Sequence, residues 1–245
     1  MSTPFSAADH GFMARALRLA VRGLYTTDPN PRVGCVLVCD GQVVGEGWHR
    51  RAGEAHAERI ALAAAGEAAR GATAYVSLEP CSHHGRTPPC SEGLITAGVA
   101  RVVAAMRDPN PQVAGEGMSA LRAAGVATQE GLLQVAAEDL NPGFLKRMRE
   151  DLPYVRCKLG MSLDGRTAMA SGEGRWITGE AARRDVQRLR ARSSAILTGI
   201  GTVLADDPSM NVRLTAAELA GVDSQDYLRQ PMRVILDARL RTPPR

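Results

Sequence analysis

The chain has 245 residues, 44% of them hydrophobic and 23% charged, a composition typical of a folded protein and not of a disordered one. Its apolar runs are far shorter than the roughly 20 residues that cross a bilayer, and its N-terminus shows no secretory signal, so we expect a cytoplasmic protein without a membrane span. The net charge of +4 suits a phosphorylated small-molecule ligand, whereas 4% aromatic residues and the lack of a dense basic stripe argue against a nucleic-acid binder.

Helices and strands alternate through the first part of the chain. A helix is predicted over residues 6–24, because Ser6 and Asp9 have capping-box spacing and apolar residues follow at helical intervals. A β-hairpin is predicted over residues 33–48, around the turn pair Asp40-Gly41. The next predicted elements are helices at 56–69, 90–97, 117–124 and 132–140 and strands at 73–78, 101–106 and 126–129. This alternation indicates an α/β fold, a sheet with helices on both faces.

At roughly 150 residues per domain, the length favours two domains. Asn141-Pro142-Gly143 is predicted to end the last helix of the first domain, so we place the boundary near residue 147 and assign domains 1–147 and 148–245. The second domain is again α/β, with strands predicted at 154–161, 195–198 and 233–237 and a helix at 179–193.

Three candidate metal ligands and one carboxylate form the most informative pattern, in His56-Ala57-Glu58, Pro80-Cys81 and Cys90. One histidine and two cysteines can hold a zinc ion and leave its fourth position to water, as catalytic zinc sites do. Both cysteines lie near the start of a predicted helix, where the helix N-terminus and a metal favour the thiolate form. The pattern predicts a catalytic zinc site at two helix starts.

Glu58 is a poor co-ligand, because a residue two positions from His56 points away from it on a regular helix. If the metal lies over the helix N-terminus, Glu58 can instead reach a bound water, whose pKa zinc lowers toward about 7, and carry its proton to a ring nitrogen and a leaving amine. H-x-E followed by P-C and a second cysteine is the signature of zinc-dependent nucleobase deaminases, although two residues separate their cysteines and eight separate these.

Three other interpretations stay open. His83 or His84 could complete a purely structural zinc site, a nucleic-acid base deaminase would share the zinc geometry, and a zinc-stabilised interaction module would need no catalytic carboxylate. The other cysteines are expected to be small core residues with reduced thiols; they are Cys35, Cys39 and Cys157.

Longer motifs in both domains narrow the choice among these interpretations. In the first domain they are DPNPRVG at 28–34, GWH at 47–49, HAE at 56–58 and EPCSHHGRTPPC at 79–90. In the second domain they are KLGMSLDG at 158–165, WIT at 176–178 and GIGTVLADDP at 199–208. With these motifs the chain resembles the bifunctional deaminase-reductases of riboflavin biosynthesis along essentially its whole length.

The resemblance implies two reactions and two domain folds. The first domain would have the three-layer α/β fold of cytidine deaminases and would hydrolyse the 2-amino group of 2,5-diamino-6-(5-phosphoribosylamino)pyrimidin-4(3H)-one. The second would be part of a dihydrofolate-reductase-like α/β domain that uses NADPH to reduce the ribose of the resulting 5-amino-6-(5-phosphoribosylamino)uracil to a ribityl chain.

Motif matches carry the family's site residues onto this sequence. The resemblance implies that zinc is bound by His56, Cys81 and Cys90 and that Glu58 moves protons. It implies that the pyrimidine is held by Asn30, His49 and His83, with Arg86 facing its phosphate. In the second domain it implies a catalytic candidate, Asp206, and substrate contacts from Lys158, Gly174, Arg190, Asp206, Ser209 and Arg213. Contacts to NADP would come from Gly160, Trp176 and Thr202.

The sequence departs from the family at its end. The family's reductase half runs further than Arg245, and its later glycine-rich segment, which cradles the nucleotide phosphates, has no counterpart in these residues. We therefore expect this chain to deaminate but to reduce poorly. An incomplete second domain is also expected to expose apolar surface and to favour a homo-oligomer.

Overall fold

The computed structural model describes residues 4–83, 88–111, 113–172, 177–219 and 228–243. Its contacts divide the chain into two units, Met1–Tyr154 and Val155–Arg245. Within the first unit the helices are α1 (Ala7–Val21), α2 (Ala57–Ala65), α3 (Cys90–Thr96), α4 (Glu116–Ala123), α5 (Gln134–Leu140) and α6 (Pro142–Glu150). Its strands are β1 (Gly34–Cys39), β2 (Gln42–Trp48), β3 (Thr73–Val76), β4 (Arg101–Ala104) and β5 (Ala127–Glu130). The second unit contains α7 (Glu180–Ala191), β6 (Ala195–Gly199), α8 (Ile200–Asp206) and β7 (Met232–Leu236).

Local sequence signals account for the first three elements. The predicted capping box is present at the start of α1, where the Asp9 amide donates to the Ser6 hydroxyl and the Asp9 carboxylate accepts from the Ser6 amide. The predicted hairpin is confirmed as well. Asp40 and Gly41 both have positive φ, at 48° and 75°, as the tightest hairpin turns require, and β1 pairs antiparallel with β2 on either side of them.

The five strands form one mixed sheet in the order β2-β1-β3-β4-β5. Strand β1 is antiparallel to both β2 and β3, whereas β3, β4 and β5 are parallel. Glycines let helices approach the sheet closely. A Cβ added at Gly34 would lie 2.0 Å from the Ala16 carbonyl oxygen in α1, and one added at Gly45 would lie 2.3 Å from the Ala61 carbonyl oxygen in α2.

Helices cover the sheet on both faces, which confirms the predicted three-layer arrangement. Along β1 the side chains alternate between two separate cores, with Val36 in one and Leu37 in the other. One core contains buried residues of α1, α5 and α6, and the other contains buried residues of α2, α3 and α4. Because both faces are covered, β1 reads as a continuous apolar run.

The first unit extends beyond the predicted boundary at residue 147, which lies inside α6. Asn141-Pro142-Gly143 does end α5, as predicted, but Pro142 then occupies the first turn of a further helix, where its missing N–H costs nothing. Leu145 of that helix is buried in the first unit's core. The chain contacts divide the units after Tyr154.

The second unit contains two helices, α7 and α8, and its strands β6 and β7 form a parallel two-stranded sheet. The strand predicted at 154–161 is wrong, because no described strand pairs with this segment and its Val155 and Leu159 are 78% and 66% exposed. Cys157 is therefore exposed and not the core residue expected, whereas Cys35 is fully buried and Cys39 is half-buried. Helix α8 was not predicted. Within the described residues, no helix has both the length and the apolar character needed to cross a membrane.

Candidate functional site

The three predicted metal ligands lie at the ends of elements of the first unit. His56 is the residue before α2, with extended backbone and no capping hydrogen bond from its side chain. Cys81 follows β3 in a loop, and Cys90 is the first residue of α3. The Cys90 amide donates to the Cys81 sulfur at 3.3 Å, so the first turn of α3 holds both cysteines together. Two helix starts and one loop thus converge.

The ligand atoms are close enough to share one ion. The His56 Nδ1 lies 3.3 Å from the Cys90 Sγ and 3.6 Å from the Cys81 Sγ. A tetrahedral zinc ion with bonds of about 2.3 Å to sulfur and about 2.0 Å to nitrogen would separate its ligands by roughly 3.5 to 3.8 Å. Among the described residues, these three side chains form the one group whose ligand atoms lie within 4.8 Å of one another, so the donor set fits zinc with one position left open.

Hydrogen bonding affects the two thiols in opposite directions. Hydrogen bonds from Cys90 and His56 lower the pKa of the Cys81 thiol to about 4, although burial opposes this. Interaction with Cys81, together with burial, raises the pKa of the Cys90 thiol well above its ordinary value. The hydrogen bond with Cys81 also raises the pKa of His56. Since zinc takes thiolates and a neutral imidazole, metal binding here must release protons.

Glu58 lies in the first turn of α2 and is only 3% exposed. Burial raises the pKa of its carboxyl to about 7, and the negative charge of Cys81 adds to this, while hydrogen bonding to its own backbone and to Cys90 opposes it. The carboxyl is therefore close enough to the two cysteines to interact with both. A buried carboxyl of this pKa can accept and donate a proton near neutral pH.

His49 and Asn30 adjoin the metal group. The His49 ring packs edge-on against the His56 ring at 5.4 Å between centroids. Its Nδ1 bonds the Ala55 carbonyl and its Nε2 bonds the Asn30 amide nitrogen at 3.1 Å, so His49 carries its proton on Nδ1 and Asn30 donates. Burial lowers the pKa of His49, which favours this neutral form.

The loop that carries Asn30 is held by hydrogen bonds to the C-terminal part of the first unit. The Asn141 side chain accepts a hydrogen bond from the Arg32 amide at 2.8 Å and donates to the Arg32 carbonyl at 3.1 Å. The Arg32 guanidinium donates to the carbonyls of Leu140 and Leu24. Asn141, singled out in the sequence as a helix breaker, thus fixes the backbone two residues after Asn30.

Two predicted residues of the first unit, His84 and Arg86, lie outside the described residues, and His83 is exposed. In the second unit, Gly174 and Trp176 lie outside the described residues too. Lys158 is exposed in an irregular segment, and a Cβ added at Gly160 would lie 3.5 Å from the Lys158 Nζ. Thr202 and Asp206 are exposed on α8, and Ser209 is exposed in the loop that follows.

The structure brings Arg190 and Arg213 together. Arg190 donates to the Asn211 carbonyl at 3.0 Å, and Arg213 donates to the Asn211 side-chain oxygen at 3.4 Å. Gln187 accepts from the Arg213 amide at 3.0 Å. Partial burial and the charge of Arg213 lower the pKa of Arg190. Two neighbouring guanidinium groups suit an anionic ligand.

Sequence reasoning missed two buried carboxyl groups beside the metal ligands, Glu79 and Asp108. Burial raises the pKa of Asp108 to about 6, and nearby Glu79 and Cys81 add to this while the Asn110 amide opposes it. A topological signal was available. Both residues follow the carboxyl ends of parallel neighbouring strands, β3 and β4, which meet at one edge of the sheet.

Comparisons with known proteins agree with this arrangement. Residues 6–106 match the cytidine and deoxycytidylate deaminase zinc-binding region, and residues 153–245 match the RibD C-terminal domain. The riboflavin biosynthesis protein RibD of Escherichia coli K12 is 62% identical over 238 residues, which cover 96% of this chain and 65% of that protein. This chain is therefore similar to RibD proteins along almost its whole length.

Two solved structures are similar to most of this chain. RibD of Acinetobacter baumannii superposes with a TM-score of 0.89 at 56% identity, covering 96% of this chain and 65% of that one. A diaminohydroxyphosphoribosylaminopyrimidine deaminase/5-amino-6-(5-phosphoribosylamino)uracil reductase from Thermotoga maritima gives 0.85 at 40% identity, covering 95% of this chain and 64% of that one. The chain thus spans somewhat less than two thirds of the length of these RibD proteins. The comparisons confirm the predicted fold class and favour neither the nucleic-acid base deaminase nor the interaction module.

Proposed function

We propose that the first unit is a zinc-dependent deaminase of riboflavin biosynthesis. Its substrate would be 2,5-diamino-6-(5-phosphoribosylamino)pyrimidin-4(3H)-one, and its products 5-amino-6-(5-phosphoribosylamino)uracil and ammonia. The observation that carries the proposal is the convergence of His56, Cys81 and Cys90 beside Glu58, a buried carboxyl in the first turn of the helix that follows His56. The similarity to RibD proteins supports the substrate class.

Each residue has a task that its position supports. His56, Cys81 and Cys90 would hold zinc, which when bound lowers the pKa of a coordinated water to about 7. Glu58 takes one proton from the attacking water and passes it to a ring nitrogen, and it then moves the proton of the added hydroxyl to the amine, which leaves as ammonia when the C–N bond breaks. Asn30 and His49, fixed to each other by a hydrogen bond, hold the pyrimidine ring against this carboxyl. His83 and Arg86 complete the substrate contacts.

We further propose that the second unit contributes to an NADPH-dependent reductase acting on the deaminated product. Arg190 and Arg213, which both bond Asn211, would bind the sugar phosphate together with Lys158, Gly174 and Ser209. Asp206 would assist proton transfer to the ribose. The contacts to NADP would come from Gly160, Trp176 and Thr202. The match of residues 153–245 to the RibD C-terminal domain supports this assignment.

Glu58→Gln tests the deaminase proposal. The amide keeps the volume of the carboxyl but cannot carry a proton, so ammonia release from the diaminopyrimidinone should fall at least about 100-fold. Zinc content should stay near that of the unmodified protein, because Glu58 is not a ligand. Glu67→Gln is the control, since Glu67 is exposed just beyond α2 and should leave the rate unchanged. Undiminished ammonia release by Glu58→Gln with zinc bound would rule the mechanism out.

A further inference from the structure

Glu79 is a buried carboxylate that the proposed mechanism does not use. It is 3% exposed and lies two residues before Cys81. Its Oε2 accepts hydrogen bonds from the amides of Asp108 at 3.1 Å and Gly115 at 3.0 Å, and its Oε1 accepts one from the amide of Met118 at 3.1 Å. Both oxygens are therefore engaged by backbone donors from distant parts of the unit.

These bonds join the metal-ligand loop to the N-terminus of α4. The first amides of a helix have no partner within the helix, and a negative charge there is stabilised by the helix dipole. Gly115 precedes α4 and Met118 lies in its first turn, so the Glu79 carboxylate supplies acceptors that the helix needs. The same hydrogen bonds satisfy a buried carboxylate, whose burial would otherwise be unfavourable.

Close packing also joins the Pro80-Cys81 loop to α4, independently of these hydrogen bonds. A Cβ added at Gly117 would lie 1.9 Å from the carbonyl oxygen of Pro80, which shows that α4 lies directly against the peptide before Cys81. The Ser91 amide and hydroxyl, in the first turn of α3, both donate to the Cys81 carbonyl at 3.1 Å. The segment from Glu79 to Cys81 is thus held between the first turns of α3 and α4.

We propose that Glu79 is a positioning residue for the metal centre. By bonding the start of α4 and the Asp108 amide, it sets the path of the Pro80-Cys81 loop, so that the Cys81 sulfur stays within reach of His56 and Cys90 before any metal binds. Glu79 itself contacts neither metal nor substrate and acts through Cys81. The inference rests on the metal assignment of the proposed function.

Glu79→Gln tests this directly. Glutamine has the same shape, but its amide nitrogen cannot accept a hydrogen bond, so at least one of the three backbone donors loses its acceptor. Competition with a chromophoric chelator should show zinc bound about tenfold more weakly, the low end of effects seen when groups outside the ligand set are changed. The absorption spectrum of the cobalt(II)-loaded variant should change as well, since the Cys81 sulfur shifts.

Asp9→Asn is the matched control, because Asp9 is also a buried carboxylate of the first unit but belongs to the core on the other face of the sheet. It should lower the stability of the fold and leave zinc affinity and the cobalt(II) spectrum unchanged. Equal zinc affinity in Glu79→Gln and the unmodified protein, or an equal loss in both variants, would overturn the positioning role.

Hydrogen exchange in the unmodified protein decides the matter even if Glu79→Gln does not fold. Coupling between two sites is reciprocal, so a carboxylate that favours metal binding must have its own bonds strengthened by the metal. Zinc should slow exchange of the Asp108, Gly115 and Met118 amides more than that of the Asp9 amide, which donates to the Ser6 hydroxyl at the start of α1. If zinc slows exchange of all four amides equally, or of none, the positioning role of Glu79 is contradicted and the proposed function is not. If the unmodified protein binds neither zinc nor cobalt(II), both the positioning role and the proposed function are refuted.

Discussion

The two units of this chain differ in how their strands are covered. In the first unit, β1, β3 and β4 are buried almost throughout, because helices pack on both faces of the sheet. In the second unit, the described strands β6 and β7 are exposed or half-buried, and Leu197 and Met232 are 61% and 69% exposed. Apolar strand residues are thus buried in the first unit and partly exposed to solvent in the second.

The difference decides how site residues are held. A buried polar group must find a hydrogen-bond partner, and so Glu79, His49 and Asn141 are each held by two or three hydrogen bonds to other segments of the first unit. In the second unit, by contrast, Arg190 is half-buried and Arg213 is exposed, so water can replace their hydrogen bonds to Asn211 and Gln187, although these bonds join residues 21 and 26 apart in the chain. Chemically matched substitutions should therefore have large effects in the first unit and small ones in the second.

The largest contrast is expected between two cysteines. Cys90→Ser replaces a buried thiol of the proposed zinc site, so most of the bound zinc should be lost, and ammonia release should fall by at least about 100-fold, since even changes outside the ligand set cost 10- to 100-fold. Cys157→Ser replaces an exposed thiol of the second unit and should change neither. Metal analysis and the ammonia assay on both variants measure the contrast. Full zinc occupancy in Cys90→Ser would break it.

The sequence predicted what depends on near neighbours. The capping box of α1 and the Asp40-Gly41 turn are local patterns, and the structure contains both as predicted. The spacing of His56, Cys81 and Cys90 is a known pattern, and the structure brings these three proposed ligands together. The Glu79 carboxylate accepts hydrogen bonds from backbone amides 29 to 39 residues away in the chain, so no local pattern could reveal them.

Two wrong predictions of secondary structure also arise from contacts that are distant in the chain. Segment 154–161 has the composition of a strand, but a strand also needs a partner, and the described residues provide none. Pro142 was interpreted only as a helix breaker, although proline is also favoured at the first position of a helix, and what decides between these roles is the apolar face that Leu145 buries. In both segments the secondary structure depends on tertiary contacts, which the periodicity of the sequence does not reveal.

A buried network in the first unit should give the next largest effect. The Asp9 carboxylate accepts hydrogen bonds of 2.7 Å from both Tyr75 and Arg101. Asp9→Asn leaves the Arg101 guanidinium without its counter-charge and should lower the free energy of unfolding by about 3 kcal/mol, the low end for a buried pair because Arg101 is 28% exposed. Asp185→Asn, on the exposed face of α7, should have no measurable effect.

The Asp9 network also makes stability depend on pH in a defined direction. Burial raises the pKa of Asp9, but hydrogen bonds from Arg101, Ser6 and Tyr75 outweigh it and hold that pKa well below its ordinary value. Its contribution is therefore complete above about pH 4, the unfolded-state value, and is lost as the pH falls toward the folded-state pKa. Urea unfolding should show a smaller difference between Asp9→Asn and the unmodified protein at pH 3 than at pH 7. A difference that does not vary with pH would contradict the network.

At high pH the same network acts through Tyr75. Burial and the neighbouring Asp9 raise the pKa of the Tyr75 hydroxyl to about 12. A raised pKa means that the contribution is complete below about pH 10 and is lost as the pH rises through 12. Asp9→Asn removes part of this shift, so its stability should decline less steeply than that of the unmodified protein above pH 10.

Matched glycine substitutions give the smallest contrast and test packing without charge. The Cβ of Gly34→Ala would lie 2.0 Å from the Ala16 carbonyl oxygen, and since this is helix backbone it cannot turn aside as a side chain would. Helix α1 must shift from the sheet, and overpacking of this kind should cost about 2 kcal/mol in the free energy of unfolding. Gly201→Ala meets nothing within 4 Å and lies in α8, so alanine's helix propensity should leave the second unit unchanged or stabilise it by up to about 1 kcal/mol. Calorimetry measures the change in the free energy of unfolding of each variant. Equal destabilisation of both would show that helix packing on the strands does not determine how each unit tolerates an added methyl group.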